Sequence, residues 1–179
     1  MKLFSARGYA QTSVQELVDE AGLTKGAFYH HYKGKEGILR EIHDTFLDEQ
    51  VEKAKAAVLP GESASTTLRK LILSEMQAVH LHQEAITIFL RERRAFSPES
   101  WKTIKAKRDA LEAIFFEVIE RGIRDGEFRS DEEPRLIAYG ILGMVHWAHE
   151  WYRPNKFGST STIAETFSDM VLDGLRKGR

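Results

Sequence analysis

The sequence predicts an all-α protein, with an N-terminal helix-turn-helix unit of three helices followed by a C-terminal helical bundle. Three observations carry this. Only four prolines interrupt the 179 residues. Every long segment repeats its apolar residues with the helical period. No pair of alternating segments flanks a hairpin turn.

The elements follow in order. Lys2 to Arg7 reads as the tail of a helix stopped by Gly8, too short to stand alone. Thr12 and Ser13 both have capping-box spacing, to Gln15 and Glu16, and open a second helix with the apolar stripe Val14, Leu17, Val18 and Ala21. Gly22 breaks it, and Thr24 caps a third helix to about Tyr32. After the turn "KGKE", Ile38, Leu39, Ile42, Phe46 and Leu47 drive a long fourth helix to the Pro60-Gly61 stop. Beyond it come Ser65–His82, then Glu84 to about Arg94, then a helix opened by Ser97-Pro98 and running to Gly126. Pro134 opens a helix to about Tyr152, and Thr160 or Thr162 opens the last, to about Leu175. The implied units are 1–34 as the three-helix unit, 35–59 as a connecting helix, and 60–179 as a larger helical bundle.

Composition narrows the function. There is no cysteine, which excludes disulfide and thiolate chemistry. The uncharged run Leu136 to His149 is shorter than the roughly 20 residues that span a bilayer, so no membrane partner is expected. It reads instead as a helix buried on all sides. Nothing at the N-terminus reads as a secretion signal, so a cytoplasmic location is expected. Net charge is near zero, but Lys25, Lys33, Lys35 and Arg40 cluster against the single acid Glu36, beside His30 and His31. Such a patch is a modest electrostatic footprint for nucleic acid.

The stretch "LTKGAFYHHYKGKE" carries the motif. Two short helices joined by "AGLT" make a helix-turn-helix, whose second helix enters the major groove. Thr24 caps that helix and leaves N–H groups free for a phosphate. Lys25 lies in the first turn, within reach of base edges, and Gly26 and Ala27 are small enough for close backbone approach. Residues three or four apart share a face. Phe28 and Tyr32 therefore point inward, Phe28 against Val14 and Leu17, while Tyr29, His30 and Lys33 face the DNA with Lys25. Lys35 follows as a further backbone contact.

The run "LFSARGYAQTSVQELVDEAGLTKGAFYHHYKGKEGIL" closely resembles the DNA-binding domain of the TetR family of bacterial repressors. The resemblance implies a homodimeric, ligand-responsive regulator that binds a pseudo-palindromic double-stranded DNA operator. It carries DNA-contacting roles to Thr12 or Ser13, Thr24, Lys25, Gly26, Ala27, Tyr29, His30 and Lys35. The family's first helix normally starts well before the Met-Lys-Leu-Phe seen here. The segments "FSPESWKTIKAKRDALEAIFFEVIERGIRDGEF" and "LGMVHWAHEWYRPN" are similar to the subgroup that regulates fatty-acid, aromatic-acid and steroid breakdown. Effectors in that subgroup are often coenzyme A thioesters.

A thioester needs an apolar slot and cations for its phosphates. "ITIFLRERRAF" offers Ile86, Phe89 and Leu90, then Arg91, Arg93 and Arg94. The same arginines can pair with Glu84, Glu92 and Glu99 on a solvated face. Met76, Phe115, Phe116, Met144 and Trp147 are candidates to line the slot, and such residues at helical spacing also serve as plain core. The last two helices are expected to form a twofold dimer interface, with Gly140 and Gly143 allowing close approach and Phe167 on the stripe. No cofactor or metal is expected. His80 and His82 point to different helix faces, and His146 with His149 has no cysteine to support a site. A second reading is a helical enzyme or carrier with an incidental helix-turn-helix, but no nucleophile with a base and an orienting partner can be read, so no enzyme is expected.

Overall fold

The computed structural model describes residues 1–129, 131–154 and 156–176, so the end of the 60–179 segment, 177–179, lies outside the described residues. Among the described residues the chain is helical, with no strand. The elements are α1 (Lys2–Arg7), α2 (Val14–Ala21), α3 (Lys25–His31), α4 (Lys35–Ala57), α5 (Ala64–Arg91), a 3-10 turn (Arg93–Ala95), α6 (Pro98–Arg124), α7 (Pro134–Trp151) and α8 (Thr160–Leu175).

Local chemistry sets most boundaries. Ser13, not Thr12, is the cap of α2, in a reciprocal capping box with Glu16. Gly22 ends α2 at φ 64°, a left-handed conformation that glycine adopts without a Cβ clash. Thr24 Oγ1 accepts from Ala27 N at 3.1 Å and opens α3. Ser63, Ser97 and Ser159 cap α5, α6 and α8 in the same way. The cap of α8 therefore precedes both expected threonines.

The expected boundary near His82 is present as a kink: α5 is two helical segments joined at His82, which leaves helical geometry at φ −116° and ψ 19° with no glycine or proline beside it. Gln83 Nε2 next to it donates to the carbonyls of His149 at 2.7 Å and Tyr152 at 3.1 Å, which ties the bend to the end of α7. Helix α5 ends at Arg91, and Arg93 and Arg94 fall in the 3-10 turn.

Helix α5 is the central element and packs against α4, α6, α7 and α8. Its stripe of Leu68, Leu71, Ile72, Met76 and Val79 is fully buried with Phe115 and Ile119 of α6 and Val145 of α7. A Cβ at Gly122 would stand 2.3 Å from Phe128 and 2.9 Å from Ala64, so α6 passes the start of α5 only because that residue is glycine. The short α1 persists by docking. Its Phe4 is buried in one cluster with Leu39 of α4 and Ile88 of α5.

Several polar contacts join the N-terminal helices to the bundle. Glu36, in the first turn of α4, accepts from Ser97 N at 2.8 Å and Ser97 Oγ at 2.7 Å at the start of α6. Ser5 Oγ donates to Glu84, and Tyr9 N donates to Glu92 Oε1 at 3.4 Å.

Candidate DNA-binding and effector sites

The surface of α3 is sorted by helical periodicity. Phe28 is buried, while Lys25, Gly26, Tyr29 and His30 are exposed, Tyr29 by 56%. Ala27 is half-buried, and Lys33 is exposed just beyond the helix. Tyr32 is half-buried, with its ring 5.5 Å from Phe28 and its hydroxyl donating to Glu41. Lys25, Gly26, Tyr29 and His30 thus lie on the open side of α3, Lys33 is exposed just beyond it, and Thr24 and Ser13 are exposed as well.

Two candidates are occupied elsewhere. Thr12 is buried, and its hydroxyl donates to the Gly8 carbonyl at 2.8 Å, so it holds the turn after α1 and is not free for a phosphate. Lys35 Nζ donates to the carbonyl of Tyr9 at 2.7 Å and of Ala10 at 3.3 Å, and lies 4.6 Å from the Tyr9 ring centre. Its charge binds the same turn to the start of α4.

A cavity of about 80 Å³ lies between α4, α5, α6 and α7. Its apolar wall is Phe46, Leu47, Ile86, Phe89, Leu90, Leu111 and Leu142. His43, Gln50, Arg108, Glu112 and His146 supply its polar groups. The His43 ring lies tilted against Phe89, with centroids 3.8 Å apart, and edge-on to Phe46 at 4.8 Å. Burial, then the charges of Arg108 and Lys107, push its pKa down to about 3, so it is neutral at physiological pH. Lys107 is itself paired with Asp44 at 3.3 Å and Asp48 at 2.8 Å. Behind the cavity, the fully buried Glu75 accepts from Gln50 Nε2 at 3.0 Å and lies 3.3 Å from His146 Nε2.

Of the effector residues expected from the sequence, Phe89 lines this cavity, with its neighbours Ile86 and Leu90. Met76 and Phe115 are fully buried in the main core and are not among the residues that line the cavity. Met144 is half-buried, and Trp147 is 63% exposed, so neither lines the cavity. The arginines do not converge on it. Arg91 faces an open cleft shared with Glu84, Glu92, Glu150 and Arg153, where the carboxylates oppose a phosphate. Arg93 lies 4.6 Å over the Trp101 ring, and Arg94 is exposed in the 3-10 turn. The cation at the cavity is Arg108 of α6. The sequence did contain a signal for the missed residues: His43, Gln50 and Glu75 are polar groups on the inward, apolar stripes of their helices.

An apolar surface runs along α7. Leu136, Tyr139 and Trp147 are exposed by 63%, 55% and 63%, and Met170 of α8 by 63%. A Cβ added at Gly140 or Gly143 would meet nothing within 4 Å. Phe167 is half-buried against the chain's own core, its ring 6.3 Å from Trp151. Among the described residues no cluster of three metal-ligating side chains occurs, and no helix is long and apolar enough to cross a membrane.

An open cationic recognition helix in a helix-turn-helix, joined to a bundle with a largely apolar cavity between its helices, defines a DNA-binding regulator. Residues 1–42 match the family "Bacterial regulatory proteins, tetR family", and residues 61–175 match "Tetracyclin repressor-like, C-terminal domain". The chain belongs to the TetR family and is a transcriptional repressor of that type. It is 32% identical over 175 residues to the HTH-type transcriptional repressor KstR2 of Rhodococcus jostii (strain RHA1), covering 97% of this chain and 85% of the relative. The structure of the ketosteroid transcriptional regulator KstR2 of Mycobacterium tuberculosis superposes with a TM-score of 0.84 at 25% identity, covering 99% of this chain and 91% of that one. AibR in complex with isovaleryl coenzyme A and operator DNA superposes with a TM-score of 0.81 at 26% identity, covering 94% and 91%.

Proposed function

We propose that the protein is an effector-released repressor. It binds a pseudo-palindromic operator as a homodimer, and a small molecule with an apolar end, of the coenzyme A thioester class, enters the cavity and releases it. One observation carries this reading: α4 lines the cavity through His43, Phe46, Leu47 and Gln50, and the same helix begins at Lys35, which holds the turn before the recognition helices. The cavity has about half the volume of the ~150 Å³ space that admits benzene. An acyl group seated wholly inside it would therefore press on the walls, α4 among them. A ligand shifts the equilibrium only as far as it prefers the moved conformation. The structural neighbour bound to isovaleryl coenzyme A and operator DNA supports the ligand class.

The homodimer rests on the exposed stripe of α7 and on Met170. The open space at Gly140 and Gly143 lets a partner helix approach closely. Twofold symmetry then places two copies of α3 on one face of the duplex, where they must lie about 34 Å apart, or a multiple of it, to enter successive major grooves.

The test is calorimetry with a panel of acyl-CoAs, their free acids and coenzyme A alone, followed by operator release. Thioesters should bind and release the operator, and Arg108→Ala should weaken them. Binding by the free acids in place of the thioesters would remove coenzyme A and leave an apolar ligand. Equal thioester affinity in Arg108→Ala would remove that arginine from the site.

A further inference from the structure

The joint between α3 and α4 is built around one side chain. Tyr32 caps the C-terminal end of α3, and α4 begins at Lys35. Its ring packs 5.5 Å from that of Phe28 in the recognition helix. It also lies against Gly37, in the first turn of α4. A Cβ at Gly37 would stand 3.0 Å from Tyr32 Cδ1 and 3.4 Å from Tyr32 Cβ, a tight approach that only glycine leaves open. The Tyr32 hydroxyl then donates to Glu41, one turn further along α4. Among the described residues, no other side-chain hydrogen bond or ion pair joins residues 25–32 to α4.

Neither core packing nor helix formation accounts for these choices. Phenylalanine would fill the same space, so the core does not need the hydroxyl. Glycine is among the poorest helix formers, so the first turn of α4 does not need Gly37. Both residues serve the contact between the two helices.

We propose that Tyr32 is a positioning residue for operator recognition: seated on Gly37 and tied to Glu41, it fixes the angle at which α3 is presented to the major groove. The side chain lies half-buried beside Phe28, whereas Lys25 and Tyr29 are exposed on the open side, so Tyr32 acts through the helix and not on the duplex. The hydrogen bond to Glu41, then burial, raise the pKa of its hydroxyl above the ordinary value of 10, so it keeps its proton and donates throughout the physiological range. With the bridge intact, α3 holds one pose on α4. Without it the helix samples several, and apparent operator affinity falls with the fraction of molecules in the binding pose.

The experiment measures the affinity of the full chain for a labelled operator duplex selected with the parent, at one salt concentration, with thermal unfolding beside it. Tyr32→Phe should bind about threefold to tenfold more weakly, the effect of losing one hydrogen bond of ordinary net strength. The same substitution should change nothing in a Glu41→Ala background, where the bond is already gone. The charge lost with Glu41 is common to both members of that comparison and cancels. Gly37→Ala separates positioning from stability. Alanine is the better helix former, so the thermal midpoint should hold or rise, while the added Cβ displaces the Tyr32 ring and operator affinity falls. Parent affinity in Tyr32→Phe or in Gly37→Ala overturns the proposal. An equal loss from Tyr32→Phe with and without Glu41 also overturns it, and makes the hydroxyl a direct DNA contact. A midpoint that falls together with affinity in Gly37→Ala marks a merely structural contact and overturns it as well. Glu41 is exposed, and if its variant still fails to fold, Tyr32→Phe and Gly37→Ala decide the matter.

Discussion

Lys25 and Tyr29 belong to one face of α3, and Phe28 to the opposite one. Removing either polar side chain should therefore weaken operator binding without unfolding the domain. Lys25→Ala should also lower the slope of log affinity against log salt by about one, the signature of one lost phosphate contact, or relax base preference if it reads a base edge. Anisotropy titrations across a salt series check both, with circular dichroism for the fold. Binding equal to the parent would reverse the facing of the helix. Thr12 and Ser13 show the limit of a sequence reading at this scale. Both have capping-box spacing, and nothing local distinguishes them. The choice is made by tertiary structure, because Thr12 is drawn inward to the Gly8 carbonyl and Ser13 is left to cap.

The helices themselves were legible because capping residues, glycines and prolines mark nearly every end, from Ser13 and Gly22 to Pro98 and Pro134. The kink at His82 was legible too, as the expected break between 65–82 and 84–94, although no glycine or proline marks it. The cavity was the least legible feature. Its wall is assembled from four helices, and Arg108 reaches it from α6, distant in sequence from Phe89, whereas Arg91 and Arg94 are neighbours in sequence and face elsewhere. At the element scale, the joint between α4 and α6 rests on Glu36. Hydrogen bonds from Ser100, then from the Ser97 backbone, hold its carboxyl below the ordinary value of 4.5. A lowered folded-state pKa means this contribution is complete above 4.5 and is lost as pH falls through the lower folded value. Glu36→Gln should therefore reduce the thermal midpoint near neutrality and flatten its decline on acidification. Parallel midpoint-versus-pH curves for parent and variant would show that the joint adds no pH dependence.

In the proposed mechanism, assembly and response depend on different surfaces of the molecule. Phe167 packs against its own core, so a charge there would damage the fold as well as any interface. Trp147 is 63% exposed, and Trp147→Glu should split the proposed dimer while leaving the fold intact. Sedimentation showing an undisturbed dimer would place the interface elsewhere. A monomer would hold only one recognition helix on the duplex and lose most operator affinity. In that mechanism the response depends on α4, which lines the cavity and begins at the Lys35 contact with the turn before the recognition helices. That claim can be tested without knowing the effector, by filling the cavity from within. Leu111→Phe, on the α6 wall facing α4, adds volume where the account places the ligand. Overfilling of this kind costs about 1–3 kcal/mol of stability, so folding and dimerisation are checked first. The measurement is the affinity of the folded dimer for a labelled operator duplex selected with the parent. The account predicts binding weaker by about tenfold, within the range of ordinary allosteric coupling. A folded, dimeric Leu111→Phe variant that binds the operator as tightly as the parent would contradict the claim that the cavity controls DNA binding through α4.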